Sequence, residues 1–192
     1  MRYPAADPKN LVYTDEFGIR GSNYYWHNAE RFNISKAELA KHEIVDVRVR
    51  VDKAIIEPLK SAQKTLNKSG YDIVIVDGYR SPELYQLAYK KRAALHGKDN
   101  ADSLMNLDAM PHASGRTVDI DLVDVKTGEK IEMRSREDGV EACFVDFYRG
   151  KDDPKSQQYQ RLQDLLLGTM KSLGFVLGSK KEYWHFELPH NK

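Results

Sequence analysis

Cysteine is nearly absent from this sequence: Cys143 is the only one in 192 residues. An intramolecular disulfide is therefore impossible, and a structural zinc site built from several thiolates is excluded. Any metal ion must instead be held by histidine, aspartate or glutamate. For Cys143 itself, a small buried hydrophobe is a simpler interpretation than a nucleophile, because free cysteine is among the most buried residue types.

The sequence also lacks a strong excess of charge of either sign and any long apolar run. Its formal net charge is +1, with acids and bases mixed along the chain, so the basic stripe expected of a nucleic-acid-binding protein is missing. No apolar stretch reaches the length needed to cross a membrane. The first residues lack the apolar core of a secretory leader, which predicts a cytoplasmic protein, or a periplasmic one if a leader has been removed.

The remaining composition is typical of a globular protein, with 41% hydrophobic and 31% charged residues. No repeat, low-complexity segment or Gly/Ser linker divides the chain, and its length suits one compact domain. We therefore expect a single domain over residues 1–192. Residues 1–43 are rich in aromatic side chains without a clear period, and we expect them to form an irregular N-terminal segment that wraps the domain.

Alternating or short apolar runs predict strands in several parts of the chain. These lie at about residues 45–51, 72–77, 117–125 and 130–133, with a closing hairpin over 175–177 and 183–188. In the third strand, Val118, Ile120 and Leu122 share one face, and Asp119 and Asp121 share the other. This strand is therefore expected to have a polar side.

Apolar residues at helical spacing predict three helices, at about residues 55–66, 81–95 and 156–173. Ser81 and Pro82 supply an N-cap and a first-turn proline for the second helix. Residues 96–110 are predicted to be a loop. The fold class is therefore α+β, with helices packed on a central antiparallel sheet.

Two separated segments carry residues that can bind a metal ion. His112 precedes a glycine-containing turn, and Asp119 lies on the polar face of the strand that follows. In the second segment, His185 lies in an aromatic strand. Each residue alone is more simply a satisfied core histidine or a solvated aspartate. Together they can form a zinc site of net charge +1, which lowers the pKa of bound water towards neutrality.

Glu182 lies three residues before His185 and is a candidate general base, which would take a proton from water and pass it to the leaving amine. Residues three apart on a regular strand point to opposite faces. Glu182 must therefore lie in the turn before the strand or beyond a bulge. Glu187 shares the face of His185 by alternation, which makes it the rival for the base or for an additional ligand.

Arg80 lies at the end of a predicted strand and immediately before a capped helix N-terminus. Loops at strand ends often carry site residues, and helix N-termini favour anions. The guanidinium could stabilise an oxyanion there. Equally, it could be a surface arginine paired with a nearby carboxylate, and the residues alone favour neither interpretation.

These residues resemble the signature of the D-alanyl-D-alanine dipeptidases of the vancomycin-resistance type. Those enzymes are members of the zinc D-Ala-D-Ala metallopeptidase family, which shares its fold with the hedgehog signalling domain. The signature is Ser-x-His-x-x-Gly-x-Ala-x-Asp, followed far downstream by Glu-x-Trp-His. The matching residues here are His112, Gly115, Asp119, Glu182, Trp184 and His185. The likeness extends to residues 77–80, 13–20 and 24–28.

The resemblance implies a hedgehog-like α+β fold, one zinc ion per chain, and hydrolysis of D-Ala-D-Ala or a similar D-amino-acid dipeptide as the partner substrate. It also implies roles for individual residues. Glu182 would be the general base and acid, Arg80 would stabilise the tetrahedral intermediate, and Asp146 would bind the free ammonium of the substrate. The zinc ligands would be His112, Asp119 and His185.

Two positions depart from the signature. Met110 stands where the family has a serine that helps to receive the substrate, and Thr117 stands where it has an alanine. Without the serine, strict D-Ala-D-Ala specificity stays open. One alternative is a related zinc D,D- or L,D-carboxypeptidase or endopeptidase acting on peptidoglycan stem peptides. The other is a non-catalytic zinc-binding module. The sequence predicts neither an oligomeric state nor a physiological role.

Overall fold

A computed structural model describes residues 4–105, 107–178 and 181–190, without the side chains of Ser103 and Leu104. Residues 179 and 180, in the turn predicted between the last two strands, lie outside these ranges. The α-helices are α1 (Tyr24–His27), α2 (Lys36–Ala40), α3 (Ile56–Asn67), α4 (Pro82–His96), α5 (Lys98–Leu104) and α6 (Pro154–Ser172). The strands are β1 (Leu11–Tyr13), β2 (Arg20–Gly21), β3 (Arg50–Asp52), β4 (Tyr71–Asp77), β5 (Thr117–Asp124), β6 (Val176–Leu177) and β7 (His185–Glu187).

The sheet that carries the candidate site has five strands in the order β2-β4-β5-β7-β6. Its last pair, β6 and β7, is antiparallel, with Leu177 opposite Phe186. A second, two-stranded sheet pairs β1 with β3, also antiparallel. The predicted fold class, helices combined with a central sheet, is confirmed.

The chain groups into two compact units, whose boundaries in the sequence fall inside β4 and β5. The first comprises the chain up to Ile56 together with Ile75–Val118, and the second comprises Glu57–Val74 together with Asp119–Lys192. The first unit contains a core cluster rich in aromatic and aliphatic side chains, among them Tyr25, Phe32, Leu84 and Tyr85. The second contains a smaller cluster formed by Ala142, Tyr148 and Tyr159. The single-domain interpretation stays a prediction.

The predicted helices form for the reasons that the sequence suggests. At the start of α4, the Ser81 hydroxyl accepts a hydrogen bond from the backbone N–H of Leu84 at 3.1 Å, and Pro82 follows the cap. At the start of α6, Asp153 accepts from the N–H of Ser156 at 2.9 Å. One face of α6 is buried in the core, including Leu162, Leu166 and Met170.

The structure corrects two of the predicted strands. Over residues 45–51, only the end becomes β3, and Val45 and Val47 are 54% and 39% exposed. Alternation alone does not form a strand where no neighbouring strand pairs with it. Over residues 130–133, the pairing is limited to an isolated bridge between Val123 and Lys130. This segment therefore lies beside β5 without extending the sheet.

Residues 96–110, predicted to be a loop, contain the helix α5. Its residues are polar and carry little apolar periodicity, so the hydrophobic pattern gives no signal. Asp102 explains the helix: it accepts hydrogen bonds from Lys98 at 2.7 Å, one turn earlier, and from the hydroxyl of Tyr89 at 2.6 Å.

The N-terminal segment also has more regular structure than predicted. Between residues 8 and 40 it forms β1, β2, α1, α2 and three short 3-10 helices. Local capping stabilises several of these elements; at α2, Ser35 and Glu38 form a reciprocal capping box. Across the residues that the structure describes, no helix combines the length and the apolar character that a membrane span requires.

Candidate metal centre

Three side chains from the two predicted segments converge. One ligand atom from each of His112, Asp119 and His185 lies within 4.8 Å of the others. The two histidines are 2% and 8% exposed. Ligand atoms around one tetrahedral zinc ion lie about 3.3–3.6 Å apart, given bonds of about 2.0–2.2 Å. The separations in this group approach those distances, and the donor set of two imidazoles and one carboxylate fits zinc.

His112 lies in a short 3-10 helix, Pro111–Ser114, that ends immediately before β5. Two hydroxyl groups fix this turn: Ser114 and Thr117 both donate to the backbone carbonyl of Pro111, at 2.8 and 3.0 Å. Thr117 is buried at the first position of β5. The side chain that departs from the family signature here therefore helps to hold the turn that carries a metal ligand.

The ring orientation of His112 follows from its hydrogen bond to Gly78. Its Nδ1 lies 2.8 Å from the Gly78 carbonyl oxygen. Because a carbonyl can only accept, Nδ1 carries the proton and the lone pair lies on Nε2, as a metal ligand requires. Only glycine fits at position 78, since a Cβ there would lie 2.4 Å from the carbonyl oxygen of Arg50. The backbone N–H of His112 donates to the Tyr85 hydroxyl at 2.9 Å.

His185, the first residue of β7, lies between two carboxylates. Its Nδ1 is 2.9 Å from Oδ1 of Asp119, and its Nε2 is 3.4 Å from Oε1 of Glu187. Burial lowers the pKa of His185, but the hydrogen bond and charge of Asp119, followed by Glu187 and Glu182, raise it to about 10 in the metal-free chain. Glu187 shares the face of His185, as predicted, and lies outside the three-residue group.

Gly178 provides the surface against which the His185 ring packs. A Cβ at this position would lie 2.2 Å from Cδ2 and 2.7 Å from Nε2 of that ring, and 3.3 Å from Oε1 of Glu187. Distances below 3.0 Å cannot be tolerated without movement of the ring. The absence of a side chain at position 178 therefore makes room for a metal ligand.

Glu182 lies in the turn before β7, as the parity argument predicts. Its backbone pairs with Phe144 in an isolated bridge, and its carbonyl accepts from the N–H of His185 at 3.2 Å. The charge of Glu182 is one of the influences that raise the pKa of His185. Cys143, on the paired segment, is half-buried, and burial raises the pKa of its thiol. This fits the interpretation of Cys143 as a small hydrophobe.

Arg80 is partly buried, with its side chain 11% exposed, and it forms an ion pair with the buried Asp77. Its guanidinium lies over the rings of Tyr25 and Tyr85, with Cζ 5.0 and 4.4 Å from their centroids. Burial acts to lower the pKa of Arg80, but Asp77 and the two tyrosines raise it well above its ordinary value. The Nε atom has no hydrogen-bond partner among the described residues. The pairing with a nearby carboxylate, one of the two interpretations of Arg80, is therefore observed, although the side chain is only 11% exposed rather than on the surface.

Asp146 lies outside the metal group. Its side chain is 59% exposed and pairs with Arg149 at 2.7 Å. It immediately follows Val145, whose N–H donates to the carbonyl of Lys181 at 3.0 Å, so the chain here runs beside the Glu182 segment. The role of Asp146 in binding substrate stays a prediction.

Comparison with known proteins gives one family. Residues 29–192 match the Peptidase M15 family model, described as D-ala-D-ala dipeptidase. No curated protein sequence matches the chain. Among solved structures, the LdcB LD-carboxypeptidase, in a study of peptidoglycan recognition, is 16% identical with a TM-score of 0.50. That alignment covers 95% of this chain and 69% of LdcB, and at this identity it shows the fold alone.

Two other solved structures are similar to a lesser degree. The vancomycin-resistance D,D-pentapeptidase VanY, from a VanB-type cassette and in complex with Zn(II), is 16% identical with a TM-score of 0.47 and 72% coverage of each chain. The L,D-carboxypeptidase DacB from Streptococcus pneumonia is 18% identical with a TM-score of 0.37, covering 69% of this chain and 63% of DacB. Because the family model covers most of the sequence, this chain belongs to the Peptidase M15 family and is a zinc metallopeptidase.

Proposed function

We propose that this protein hydrolyses D-alanyl-D-alanine or a similar D-amino-acid dipeptide. The observation that carries the proposal is the group of His112, Asp119 and His185, whose ligand atoms lie within 4.8 Å of one another. Two further residues support it, because the charge of Glu182 acts on His185 and the Nε atom of Arg80 is buried without a hydrogen-bond partner among the described residues. Such a set is typical of a catalytic rather than a structural zinc site.

Each residue has a distinct part in the proposed reaction. His112, Asp119 and His185 would hold zinc, which when bound supplies a Lewis acid that polarises a carbonyl group and acidifies water. Glu182 accepts the proton of the attacking water and later donates it to the departing amine. Arg80 donates hydrogen bonds to the oxyanion that develops on the substrate carbonyl.

Recognition of the two ends of the substrate is a finer proposal. Asp146 is accessible to the free ammonium of a dipeptide, which would replace Arg149 as its partner. Met110 packs partly buried against the aromatic cluster of the first unit. A thioether cannot replace the donor capacity of the serine at this position in the family signature. We therefore expect selection for small apolar side chains to be retained and selection by hydrogen bonding at this point to be weaker.

A second candidate function is a zinc carboxypeptidase on longer peptidoglycan stem peptides. Two observations favour it: the exposure of Asp146, which does not close off an ammonium pocket, and the substitution at Met110. In this case the substrate would not need a free amino group next to the scissile bond. Both candidates use the same metal centre and the same base.

Metal analysis combined with a peptide panel separates these functions. The panel contains D-Ala-D-Ala, N-acetyl-D-Ala-D-Ala and L-Ala-L-Ala, each incubated with the zinc-loaded protein. We expect one zinc ion per chain and preferential hydrolysis of the free D,D-dipeptide. Equal or faster hydrolysis of the acetylated peptide would replace the proposal with the carboxypeptidase function. Bound zinc without hydrolysis of any peptide would indicate a non-catalytic module.

The role of Glu182 has its own test. Replacing Glu182 with Gln keeps the size of the side chain and removes its ability to accept a proton. We expect kcat to fall by about 10²–10⁴-fold, while zinc content stays at the wild-type level. Glu129→Gln, at an exposed turn residue, is the matched control and should retain full activity. Near-normal turnover in Glu182→Gln would exclude Glu182 as the base.

A further inference from the structure

Tyr85 contacts two parts of the site at once. Its ring lies beneath the Arg80 guanidinium, with Cζ 4.4 Å from the ring centroid. Its hydroxyl oxygen accepts the hydrogen bond from the backbone N–H of His112 at 2.9 Å. Tyr85 is thus in direct contact with the proposed oxyanion-stabilising residue and with the chain that carries a metal ligand, without being part of either motif.

The position of Tyr85 is fixed by the start of α4. Its backbone N–H donates to the carbonyl of Ser81 at 3.0 Å, and Ser81 caps the helix through Leu84. The side chain is 2% exposed and belongs to the core cluster of the first unit. A side chain held in this way by a capped helix and a packed core has little freedom to follow movements of its partners.

The hydroxyl completes the anchoring of His112. The imidazole of His112 is oriented by the Gly78 carbonyl, and the backbone N–H of His112 is held by the Tyr85 hydroxyl. Replacing a group that orients a metal ligand commonly lowers the affinity of the site for the metal. Without the hydroxyl, the buried N–H of His112 loses its acceptor, and the turn that presents the imidazole is held less firmly.

The ring orients Arg80 by a different interaction. The guanidinium is held between the faces of Tyr25 and Tyr85 and paired at one end with Asp77. A cation over an aromatic face is attracted more strongly when both are removed from water. Burial also raises the pKa of Tyr85, so the ring stays neutral across the physiological range. The ring therefore helps to determine the direction in which Arg80 projects its Nε proton.

We propose that Tyr85 is a positioning residue for the reaction, because it fixes the placement of the Arg80 guanidinium relative to the backbone of His112. The inference rests on the proposed roles of Arg80 and His112. It predicts that the hydroxyl and the ring act on different quantities, the hydroxyl on zinc affinity and the ring on the rate of the chemical step.

Two variants separate these effects. In Tyr85→Phe, we expect the zinc dissociation constant, measured by competition with a chelator, to rise about 10-fold or more. In the same variant, kcat at saturating zinc should stay within about threefold of wild type, because the ring remains over Arg80. In Tyr85→Leu, we expect kcat at saturating zinc to be about 10-fold lower than in Tyr85→Phe, with a smaller change in KM.

Tyr148→Phe is a matched control in the second unit. Tyr148 is equally buried, and its hydroxyl also accepts from a backbone N–H, that of Ser135, at 2.9 Å. This hydroxyl also donates to Asp138 at 2.7 Å, so its loss should lower the melting temperature at least as much as Tyr85→Phe does, without raising the zinc dissociation constant. If both variants weaken zinc binding equally, the effect of Tyr85 is general destabilisation and the inference is wrong.

A double-mutant cycle tests whether the ring acts through Arg80. With Arg80 replaced by Ala, the change Tyr85→Leu should have no further effect on kcat, because the group that it positions is gone. An equal effect of Tyr85→Leu in both backgrounds would overturn the inference. If the wild-type protein hydrolyses no peptide, the proposed function fails, and the zinc affinities then decide: an unchanged dissociation constant in Tyr85→Phe overturns the role of Tyr85, and a raised one supports it.

Discussion

The two histidines of the metal centre are held by partners of different electrical character. His112 is anchored by neutral groups, the carbonyl of Gly78 at 2.8 Å and the hydroxyl of Tyr85 at 2.9 Å. His185 is flanked by the carboxylates of Asp119 at 2.9 Å and Glu187 at 3.4 Å. Both arrangements satisfy a buried imidazole, but among these contacts only the second set places a carboxylate within hydrogen-bond distance of the ring.

The partners of His112 act on the geometry of its imidazole, whereas the partners of His185 also act on it through their charge. Neutral anchors fix the position and tautomer of His112, whereas the carboxylates around His185 raise its basicity and thereby strengthen it as a ligand. Arg80 also belongs to the His112 side, since its backbone N–H donates to the His112 carbonyl at 3.3 Å. We therefore expect changes around His185 to act mainly on zinc affinity, and changes around Arg80 to act mainly on turnover.

The largest effect is expected for Gly178→Ala, on the His185 side. The added methyl group would overlap the imidazole, which must move to avoid it. Displacement of a site group by about 1 Å costs on the order of 100-fold in activity, and here zinc content should fall as well. Metal analysis and steady-state kinetics on the purified variant measure both quantities.

Gly168→Ala is the control for this substitution. Gly168 lies within α6, and a Cβ there would meet nothing within 4 Å. Alanine should therefore stabilise the helix by about 0.5–1 kcal/mol without affecting zinc. Wild-type zinc content and turnover in Gly178→Ala would show that His185 does not depend on the space at position 178.

The next largest effect is expected for Arg80→Ala. Loss of one oxyanion donor costs about 2–4 kcal/mol of transition-state stabilisation, and zinc content should be unchanged. Arg80→Lys should not restore the rate, because an ammonium group lacks the planar fork that packs between two rings. The check is kcat measured at saturating zinc. A variant that binds zinc and keeps its full rate would give Arg80 a structural role only.

A smaller effect, on zinc affinity, is expected for Glu187→Gln, which also changes the surroundings of His185. The substitution removes the negative charge from one side of His185 and keeps the shape of the side chain. We expect the zinc dissociation constant to rise about 10-fold, as measured by chelator competition. Glu57→Gln, at an exposed glutamate paired with Lys60, is the control and should leave zinc affinity unaltered. An unchanged affinity in Glu187→Gln would show that the charge of Glu187 does not contribute to metal binding by His185.

The smallest effect is expected for Thr117→Ala, which restores the residue of the family signature. One of the two hydroxyl groups that donate to the Pro111 carbonyl is lost, and Ser114 remains. The free energy of unfolding should fall by about 1 kcal/mol, which urea denaturation can measure. Thr117→Ser should recover most of this loss. A drop of several kcal/mol would mean that Ser114 alone cannot hold the turn.

The sequence allows much of the centre to be predicted, because its ligands obey simple periodicities. The alternation of β5 buries Val118 and Ile120 and leaves Asp119 on the other face. The parity of β7 requires Glu182 to lie in a preceding turn or beyond a bulge, and the hydrogen bond from the N–H of His185 to the Glu182 carbonyl corresponds to the turn. The capped helix after Arg80 is likewise readable from Ser81 and Pro82.

The anchoring groups are harder to predict, and the reason is physical. The Gly78 carbonyl is a backbone atom that every residue possesses, so no side chain marks it as the acceptor for His112. Tyr85 looks like an ordinary core residue of a helix, because its contact with His112 joins residues 27 positions apart in the chain. The helix α5 depends on the contacts of Asp102 rather than on apolar periodicity. Such interactions depend on tertiary position, which local sequence does not encode.

The dependence of Tyr85 on the start of α4 limits how this part of the chain can change in length. Each residue added to a helix rotates all later side chains by about 100°. One insertion between Arg80 and Tyr85 would therefore turn the tyrosine away from both the guanidinium and the turn that bears His112. Beyond Ala88, towards the exposed Leu95 and the end of α4 at His96, the same insertion would move only residues that take no part in the site. Natural or engineered variation in loop and helix length should thus concentrate at the C-terminal end of this helix.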